Sequence, residues 1–205
     1  MPTPPGAGRD ALENAVRTLA RTPAPALLAD PLEYLAEEHF RQRCLCQLLD
    51  AVANDGRRRR AEIRTAVAYF RGDFALHVRD EQDDLFPMLR SLAAAEDAID
   101  ALLDSLTADH ARDASIGRRV VSLLEALLER DEPGPGLDAD ASREIAGFSG
   151  AERRHLMLEN AIVLPLARIR LDAAHRRLLS ARMAARRAVP RAQDPATPRG
   201  EHDAR

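Results

Sequence analysis

The sequence predicts an all-α protein, an antiparallel up-down four-helix bundle with a C-terminal helical extension. Alanine and leucine supply most of its apolar content, only 3% of residues are aromatic and β-branched runs are scarce, a composition that favours helices over strands. Apolar residues recur at intervals of three and four, the spacing of one helix face. Short turn signals separate these stretches, which is typical of helices that run antiparallel to their neighbours.

The helical patterns follow one another along most of the chain. Asp30 and Pro31 suit the start of the first long helix, because Asp caps a helix and Pro fits its first position. Pro87 is expected to kink or end the second helix, and Pro165 to interrupt the fourth. The Pro/Gly-rich run 131–137 is the clearest loop. The patterns cover about 10–21, 30–55, 58–85, 94–130, 140–164 and 166–188.

The predicted domain organisation has three parts. Residues 1–26 form an N-terminal tail with a short helix, residues 27–170 form the bundle, and residues 171–205 form an Arg-rich helical extension and a disordered tail. Segments rich in Pro, Gly and charge rarely bury enough apolar surface to order themselves.

Composition and charge argue against several classes of function. The net charge of -3 gives no basic footprint for nucleic acid. No apolar stretch reaches the ~18 residues of a membrane span, and no apolar leader follows Met1. The two cysteines, Cys44 and Cys46, do not make a secreted disulfide framework. These features predict a cytoplasmic protein without nucleic-acid or membrane partners.

One interior histidine lies on each of the four long helices. Two of these histidines are followed by a glutamate four residues later, and residues at that spacing lie one turn apart on one face. Glu81 and Glu159 are each followed six residues later by a proline, so the segment 77–87 repeats at 155–165. The six residues are His39, His77, Glu81, His110, His155 and Glu159.

The histidines are expected to meet inside the bundle. Each lies about 15 to 22 residues from the turn that joins its helix to the next, so at ~1.5 Å per residue all four reach similar heights. Each is also flanked on its helix face by apolar residues. A single histidine on such a face is usually an ordinary core residue. Four of them with two duplicated glutamates favour a metal, because an uncompensated buried carboxylate is costly.

Imidazole and carboxylate donors together suit iron, zinc or manganese. Six ligands exceed one tetrahedral zinc site, and two metal ions with bridging carboxylates fit the number better. The donor types leave manganese or a mixed-metal site open beside iron.

These residues resemble the hemerythrin-like, or HHE cation-binding, family. The resemblance covers roughly residues 30–170 and rests on the six residues together with the run Leu85-Phe86-Pro87. It implies a four-helix bundle with an oxo- or hydroxo-bridged centre of two iron ions. In that centre Glu81 and Glu159 bridge the irons, and the histidines are terminal ligands.

The sequence departs from the oxygen-carrying hemerythrins at two places. Those proteins have a second histidine one turn after the third-helix histidine, where this chain has Ala114. They also end with a His-and-Asp pair at a wider spacing than His155 and Glu159. Exchangeable coordination positions are therefore expected, as in family variants linked to peroxide, nitric oxide or oxygen chemistry and to iron handling.

Several further residues are weighed as secondary candidates. Asp73, four residues before His77, could accept a hydrogen bond from a metal-bound histidine or be an extra ligand. Asp80 and Asp84 lie near the same face, but a solvated acidic cluster is the preferred interpretation of these residues. Tyr69 is expected to pack in the core with an exposed hydroxyl, and Cys46 to be a small buried apolar residue. His175 and His202 fall outside the repeat and receive no role.

Three functional hypotheses follow. The first is a non-haem di-iron protein that binds or reduces oxygen, peroxide or nitric oxide, and whether it turns over as an enzyme is left open. The second is an iron, oxygen or redox sensor, or an iron-handling module, whose Arg-rich extension could meet a protein partner. The third, ranked well below, is a metal-free structural bundle. No hydrolase or nucleotide-binding motif is present.

Overall fold

The computed structural model describes residues 7–55, 59–129 and 137–188. Every secondary-structure element in these ranges is helical, which confirms the predicted all-α class for the described residues. Two short 3₁₀ turns, Pro25–Ala29 and Ala95–Asp97, join helices. The α-helices are α1 Ala7–Leu19, α2 Pro31–Asp55, α3 Arg60–Tyr69, α4 Ala75–Asp80, α5 Phe86–Leu92, α6 Asp100–Leu128, α7 Ala139–Leu158, α8 Leu164–Arg170 and α9 Ala173–Ala188.

Wide π turns join several of these helices into long continuous segments. Phe70–Phe74 joins α3 to α4, Glu81–Leu85 joins α4 to α5, and Glu159–Val163 joins α7 to α8. The chain is therefore helical without interruption over 60–92 and over 139–170. Together with α2 and α6, these two segments are the four long helical stretches that the sequence predicts.

The prediction that Pro87 ends its helix and that Pro165 interrupts the fourth helix is wrong, whereas a kink at Pro87 stays a prediction. Pro87 and Pro165 lie in the first turns of α5 and α8, and the helix continues through both. A proline ring clashes with the carbonyl four residues back. The π turn widens the backbone there, with the Phe86 N–H bonded to the carbonyl of Glu81 five residues earlier. The same arrangement recurs after Glu159.

The start of α6 also differs from its prediction near residue 94. Ala98 has a left-handed backbone with φ of 47°, which an α-helix cannot contain. The α-helix consequently begins at Asp100.

Two apolar clusters fill the interior on either side of a polar layer. The first apolar cluster includes Leu45, Leu49, Phe70, Leu124 and Phe148. The second apolar cluster includes Leu35, Leu85, Leu103, Val163 and Leu179. On each of the four long stretches the interior histidine lies between a residue of one cluster and a residue of the other.

The helices outside these four stretches pack against them. The short N-terminal helix is confirmed as α1, which contacts α2 and α3 and buries Ala15 and Leu19. Helix α9 contacts α2 and α4 and buries Leu179 and Met183 in the second apolar cluster. The division at 26 and 170 stays a prediction. The predicted disordered C-terminal tail and residues 131–136 of the predicted loop 131–137 lie outside the described residues.

Within the described ranges, none of the helices combines the length and the apolar character needed to cross a membrane.

Candidate metal centre

The structure brings the six predicted residues together in the polar layer. Each of the four long helical stretches supplies one histidine, and the π turns place Glu81 and Glu159 at their first residues. None of the six side chains is more than 5% exposed. Each glutamate N–H bonds to the carbonyl of the histidine four residues earlier, so each carboxylate lies one helical turn from that histidine on the interior face.

Glu81 contacts three of the histidines. Its Oε1 lies 3.3 Å from His39 Nε2. Its Oε2 lies 3.2 Å from His77 Nε2 and 3.4 Å from His110 Nε2. One carboxylate therefore reaches histidines on three separate helical stretches.

Glu159 makes the matching set of contacts from the other side. Its Oε1 lies 2.9 Å from His155 Nε2 and 4.0 Å from His110 Nε2, and its Oε2 lies 3.4 Å from His39 Nε2. In the described residues, two groups of four have ligand atoms all within 4.8 Å of one another. The first group is His39, His77, Glu81 and Glu159; the second is Glu81, His110, His155 and Glu159.

These separations are those expected around metal ions. Nitrogen and oxygen ligands lie about 2.0–2.2 Å from a first-row metal, so two of them are about 3–4 Å apart. Several of the atoms are also buried without a hydrogen-bond partner, among them His77 Nε2, His155 Nε2, Glu81 Oε2 and both Glu159 oxygens. Buried polar atoms normally have partners. The two groups therefore fit a metal site.

The charges of the metal-free centre support this fit. Burial favours a lower pKa for His77, but the negative charge of Glu81 outweighs it and raises that pKa to about 9. Burial also opposes protonation of His155, yet the Glu159 carboxylate 2.9 Å from its Nε2 raises its pKa to about 10. Burial favours a higher pKa for Glu81, but the His77 charge holds it well below its usual value. The carboxylates thus attract positive charge into the layer.

Asn160 orients one of the histidines, and sequence reasoning missed it. His39 Nδ1 lies 3.2 Å from Asn160 Oδ1, while Asn160 Nδ2 donates to the carbonyl of Leu156 at 2.6 Å. The second bond fixes the amide, so its oxygen accepts from His39 Nδ1–H. That tautomer leaves His39 Nε2 free to act as a ligand. The available signal was an amide residue directly after a candidate ligand.

Glu152 is a second residue that sequence reasoning missed. It lies three residues before His155 on α7, is 2% exposed, and its Oε1 has no hydrogen-bond partner. Burial raises its pKa to about 8, and the charges of Asp113 and Glu159 act in the same direction, while that of His155 lowers it. At neutral pH the folded protein holds this group protonated, whereas the unfolded chain ionises it.

Glu152→Gln is expected to stabilise the metal-free protein at alkaline pH. An acid whose pKa is raised on folding contributes stability below its unfolded pKa of 4.5 and loses it as pH rises through about 8. Between those values wild type loses about 1.4 kcal/mol per pH unit through this group, and the variant does not. Urea unfolding at pH 5, 7 and 9 measures the difference.

The control for this measurement is Glu37→Gln, which neutralises an exposed glutamate of α2 and should follow wild type at each pH. A stability difference between E152Q and wild type that stays constant from pH 5 to pH 9 would contradict the buried, protonated state.

The preferred interpretations of Asp80, Asp84 and Tyr69 are wrong. Asp80 and Asp84 are 0% and 3% exposed, because arginines of α9 cover them. The Tyr69 hydroxyl is buried and donates to Glu38 Oε2 at 3.1 Å. Asp73 accepts from Arg41 Nη2 at 2.7 Å, so it is part of an ion-pair network instead of the His77 face.

The remaining candidates stay outside the centre. Cys46 is fully buried, and burial raises the pKa of its thiol, in agreement with its predicted packing role. Both cysteines are free. His175 contacts Asp172 on the surface of the protein, and His202 lies outside the described residues.

The chain was compared with protein families, with curated proteins and with solved structures. Searches of curated proteins and of solved structures gave no significant match to the chain. The hemerythrin HHE cation binding domain matches residues 30–167, which is more than half of the chain and includes all six candidate ligands. The family is a cation-binding one, in accord with the buried histidine and glutamate groups. The chain belongs to the hemerythrin HHE cation-binding domain family.

Proposed function

We propose that the protein is a non-haem di-iron protein that binds or reduces a small oxidant, namely oxygen, peroxide or nitric oxide. The observation that carries this proposal is the pair of four-residue groups that share both glutamates. In this assignment His39 and His77 hold one iron ion, and His110 and His155 hold the other. Glu81 and Glu159 bridge the two, within an up-down four-helix bundle.

The number of donors leaves coordination positions for an exogenous ligand. Four imidazoles and two bridging carboxylates give each ion four protein ligands, and iron accepts up to six. Bound iron would supply the exchangeable positions and the electrons for the oxidant. The protein contributes the fixed ligand positions and a buried, largely apolar surround.

A groove offers a route for a small ligand. It has a volume of about 600 Å³, lies between the 60–92 helical stretch and α6, and reaches His110. Phe70, Phe74, Ala114 and Gly117 line it. Oxygen-carrying relatives place a second histidine at the position of Ala114, so the methyl group here leaves space beside His110. Charged residues such as Arg71, Asp113 and Arg118 also line the groove, but apolar atoms supply most of its surface, which suits small uncharged molecules such as oxygen, peroxide or nitric oxide.

The proposal is tested on protein reconstituted with ferrous iron under anaerobic conditions. Elemental analysis of close to two irons per chain, with charge-transfer bands that shift on adding azide, supports an accessible di-iron centre. Little or no bound iron would overturn it. Peroxide and nitric oxide consumption are then compared with the same concentration of free iron.

These turnover assays separate the two hypotheses that involve metal. Consumption no faster than by free iron would retain the centre and favour the sensor or iron-handling alternative. That alternative relied on the Arg-rich extension as a partner surface. Arg182, Arg186 and Arg187 instead contact aspartates of the same chain, so the guanidinium groups of these three arginines are already engaged within the protein. The cytoplasmic location stays a prediction.

Asn160→Leu is expected to weaken iron binding by about 10- to 100-fold, the usual effect of removing a group that orients a metal-bound histidine. The leucine keeps a similar volume but cannot accept from His39 Nδ1. Competition with a chelator of known affinity measures the change. Asn54→Ala, which removes an exposed α2 amide bonded only to its own helix, should leave the affinity unchanged. Equal affinities for N160L and wild type would contradict the orienting role.

A further inference from the structure

Two buried aspartates lie at the π turn that begins with Glu81. Asp80 directly precedes Glu81 and is fully buried, and Asp84 lies within the turn and is 3% exposed. They face away from the metal centre toward α9, and their contacts are to that helix. A buried carboxylate is stable only when its charge is compensated, so whatever compensates these two groups also fixes the backbone of the turn.

Three arginines of α9 bind all four oxygens of these carboxylates. Arg186 spans both groups, since its Nη1 donates to Asp80 Oδ1 and its Nη2 donates to Asp84 Oδ2 at 2.6 Å. Arg187 Nη2 donates to Asp80 Oδ2 at 2.5 Å, and Arg182 Nη1 donates to Asp84 Oδ1 at 2.9 Å. Hydrogen bonds between guanidinium and carboxylate groups are among the strongest in proteins.

Helix α9 is itself anchored, so these arginines are held in place. Leu179 and Met183 are fully buried in the second apolar cluster. Arg187 Nε donates to the Tyr34 hydroxyl at 2.9 Å, and its guanidinium lies 4.6 Å from the centre of the Tyr34 ring. The contacts join the C-terminal helix to α2 as well as to the π turn.

The second π turn lacks this arrangement. The internal repeat places Leu158 and Ile162 where the first turn has Asp80 and Asp84. Ile162 is 42% exposed, so no side chain of α9 covers that position. The arginine contacts are therefore specific to the Glu81 half of the repeat and are not a general consequence of the helical packing.

We propose that Arg186 and Arg187 are positioning residues for Glu81, which act on it through Asp80 and Asp84. This inference rests on the proposed role of Glu81 as a bridging ligand. Glu81 keeps the regular bond from its N–H to the His77 carbonyl. On its C-terminal side, however, the π turn replaces bonds between residues four apart by the wider bond from the Phe86 N–H to the Glu81 carbonyl, so the helix constrains Glu81 less on that side. The ion pairs on its outer side supply the missing constraint, and the C-terminal helix becomes part of the metal-binding unit.

The test compares Arg186→Ala with Arg177→Ala on the full chain. Arg177 is an exposed arginine of the same helix, and R177A removes the same charge without touching either aspartate. R186A is expected to lower iron affinity at least tenfold, as loss of a ligand-supporting contact does, and to shift the charge-transfer bands. R177A should match wild type in both respects.

A general loss of stability is separated from loss of positioning by Leu124→Ala. Leu124 is fully buried in the first apolar cluster, on the other side of the metal centre from α9, so L124A destabilises the fold without touching the π turn. If R186A loses no more iron affinity than L124A does, the positioning role of Arg186 is overturned.

Amide hydrogen exchange makes the two failures distinguishable. In metal-free protein, exchange at residues 81–85 should accelerate in R186A and not in R177A, because the turn loses its outer support. A wild-type protein that takes up no iron would overturn the proposed function, and with it the positioning of a ligand. If wild type binds iron normally, and R186A matches it in both exchange and iron affinity, only the positioning role of the arginines is overturned.

Discussion

Replacing Glu81 and Glu159 together by glutamine is expected to reduce bound iron from about two ions per chain to near zero, because both ions of such a site depend on the bridging groups. Glutamine keeps the size of each side chain but removes the negative charge that offsets the cations. Four neutral imidazoles would then face about four positive charges in a site that is at most 5% exposed, an arrangement that buried ions do not tolerate. Elemental analysis after anaerobic reconstitution measures the loss.

The double variant should still fold, which makes the loss of iron interpretable. The carboxylates of Glu81 and Glu159 are what raise the pKa of His77 and His155 against the effect of burial. Without them burial keeps both imidazoles neutral, so the variant leaves no uncompensated buried charge. Far-ultraviolet circular dichroism should therefore be unchanged. Glu33→Gln with Glu37→Gln, two exposed glutamates of α2, is the matched control and should retain its iron. Full iron loading of the E81Q/E159Q variant would remove both glutamates from the ligand set.

The helices and the meeting of the six residues could be predicted because one periodicity governs both. Leu35, Leu103 and Phe148 are buried, and the interior histidines lie on the same helix faces as these residues. A 3.6-residue period that places the leucines in the core must place the histidines there too. The fourth-residue glutamates then follow from helix geometry alone.

The burial of Asp80 and Asp84 could not be predicted in the same way. Their partners lie 98 to 107 residues further along the chain, on a helix whose packing depends on tertiary structure. Without that contact the ordinary rule applies, and aspartates on a helix are solvated. The surroundings of Tyr69 and Asp73 could not be predicted for the same reason, because the residues that bind them lie on another helix.

The π turns could not be predicted, because proline usually ends a helix. The repeated spacing from Glu81 to Pro87 and from Glu159 to Pro165 was visible, but its local meaning was not. The structure shows that a helix can continue past proline when the preceding turn is widened. The same widening occurs at the glutamates, so a single local feature accommodates the proline and presents the candidate ligand.

Arg41→Met is expected to destabilise the protein by about 3–5 kcal/mol, the usual cost of removing one partner of a buried ion pair. Arg41 is 2% exposed. Its guanidinium donates to Glu38 Oε1 at 2.6 Å, to Asp73 Oδ2 at 2.7 Å and to the Leu19 carbonyl at 3.1 Å. Methionine fills a similar volume, so the loss reflects the charges and hydrogen bonds. Urea unfolding of the metal-free protein measures it.

The size of this effect depends on Glu38, which the variant would leave buried at 1% exposure with the Tyr69 hydroxyl beside one of its oxygens. Neutralising that group as well, in Arg41→Met with Glu38→Gln, should restore most of the lost stability, since a neutral amide needs no counter-charge. Arg43→Ala, an exposed arginine of the same helix, should change the free energy of unfolding by no more than about 0.5 kcal/mol. If R41M lost little stability, or if the added E38Q change restored none of it, the uncompensated Glu38 charge would not be the cause. A large loss that E38Q does not restore would instead assign the role of Arg41 to its contacts with Asp73 and with the Leu19 carbonyl, the second of which joins α1 to α2.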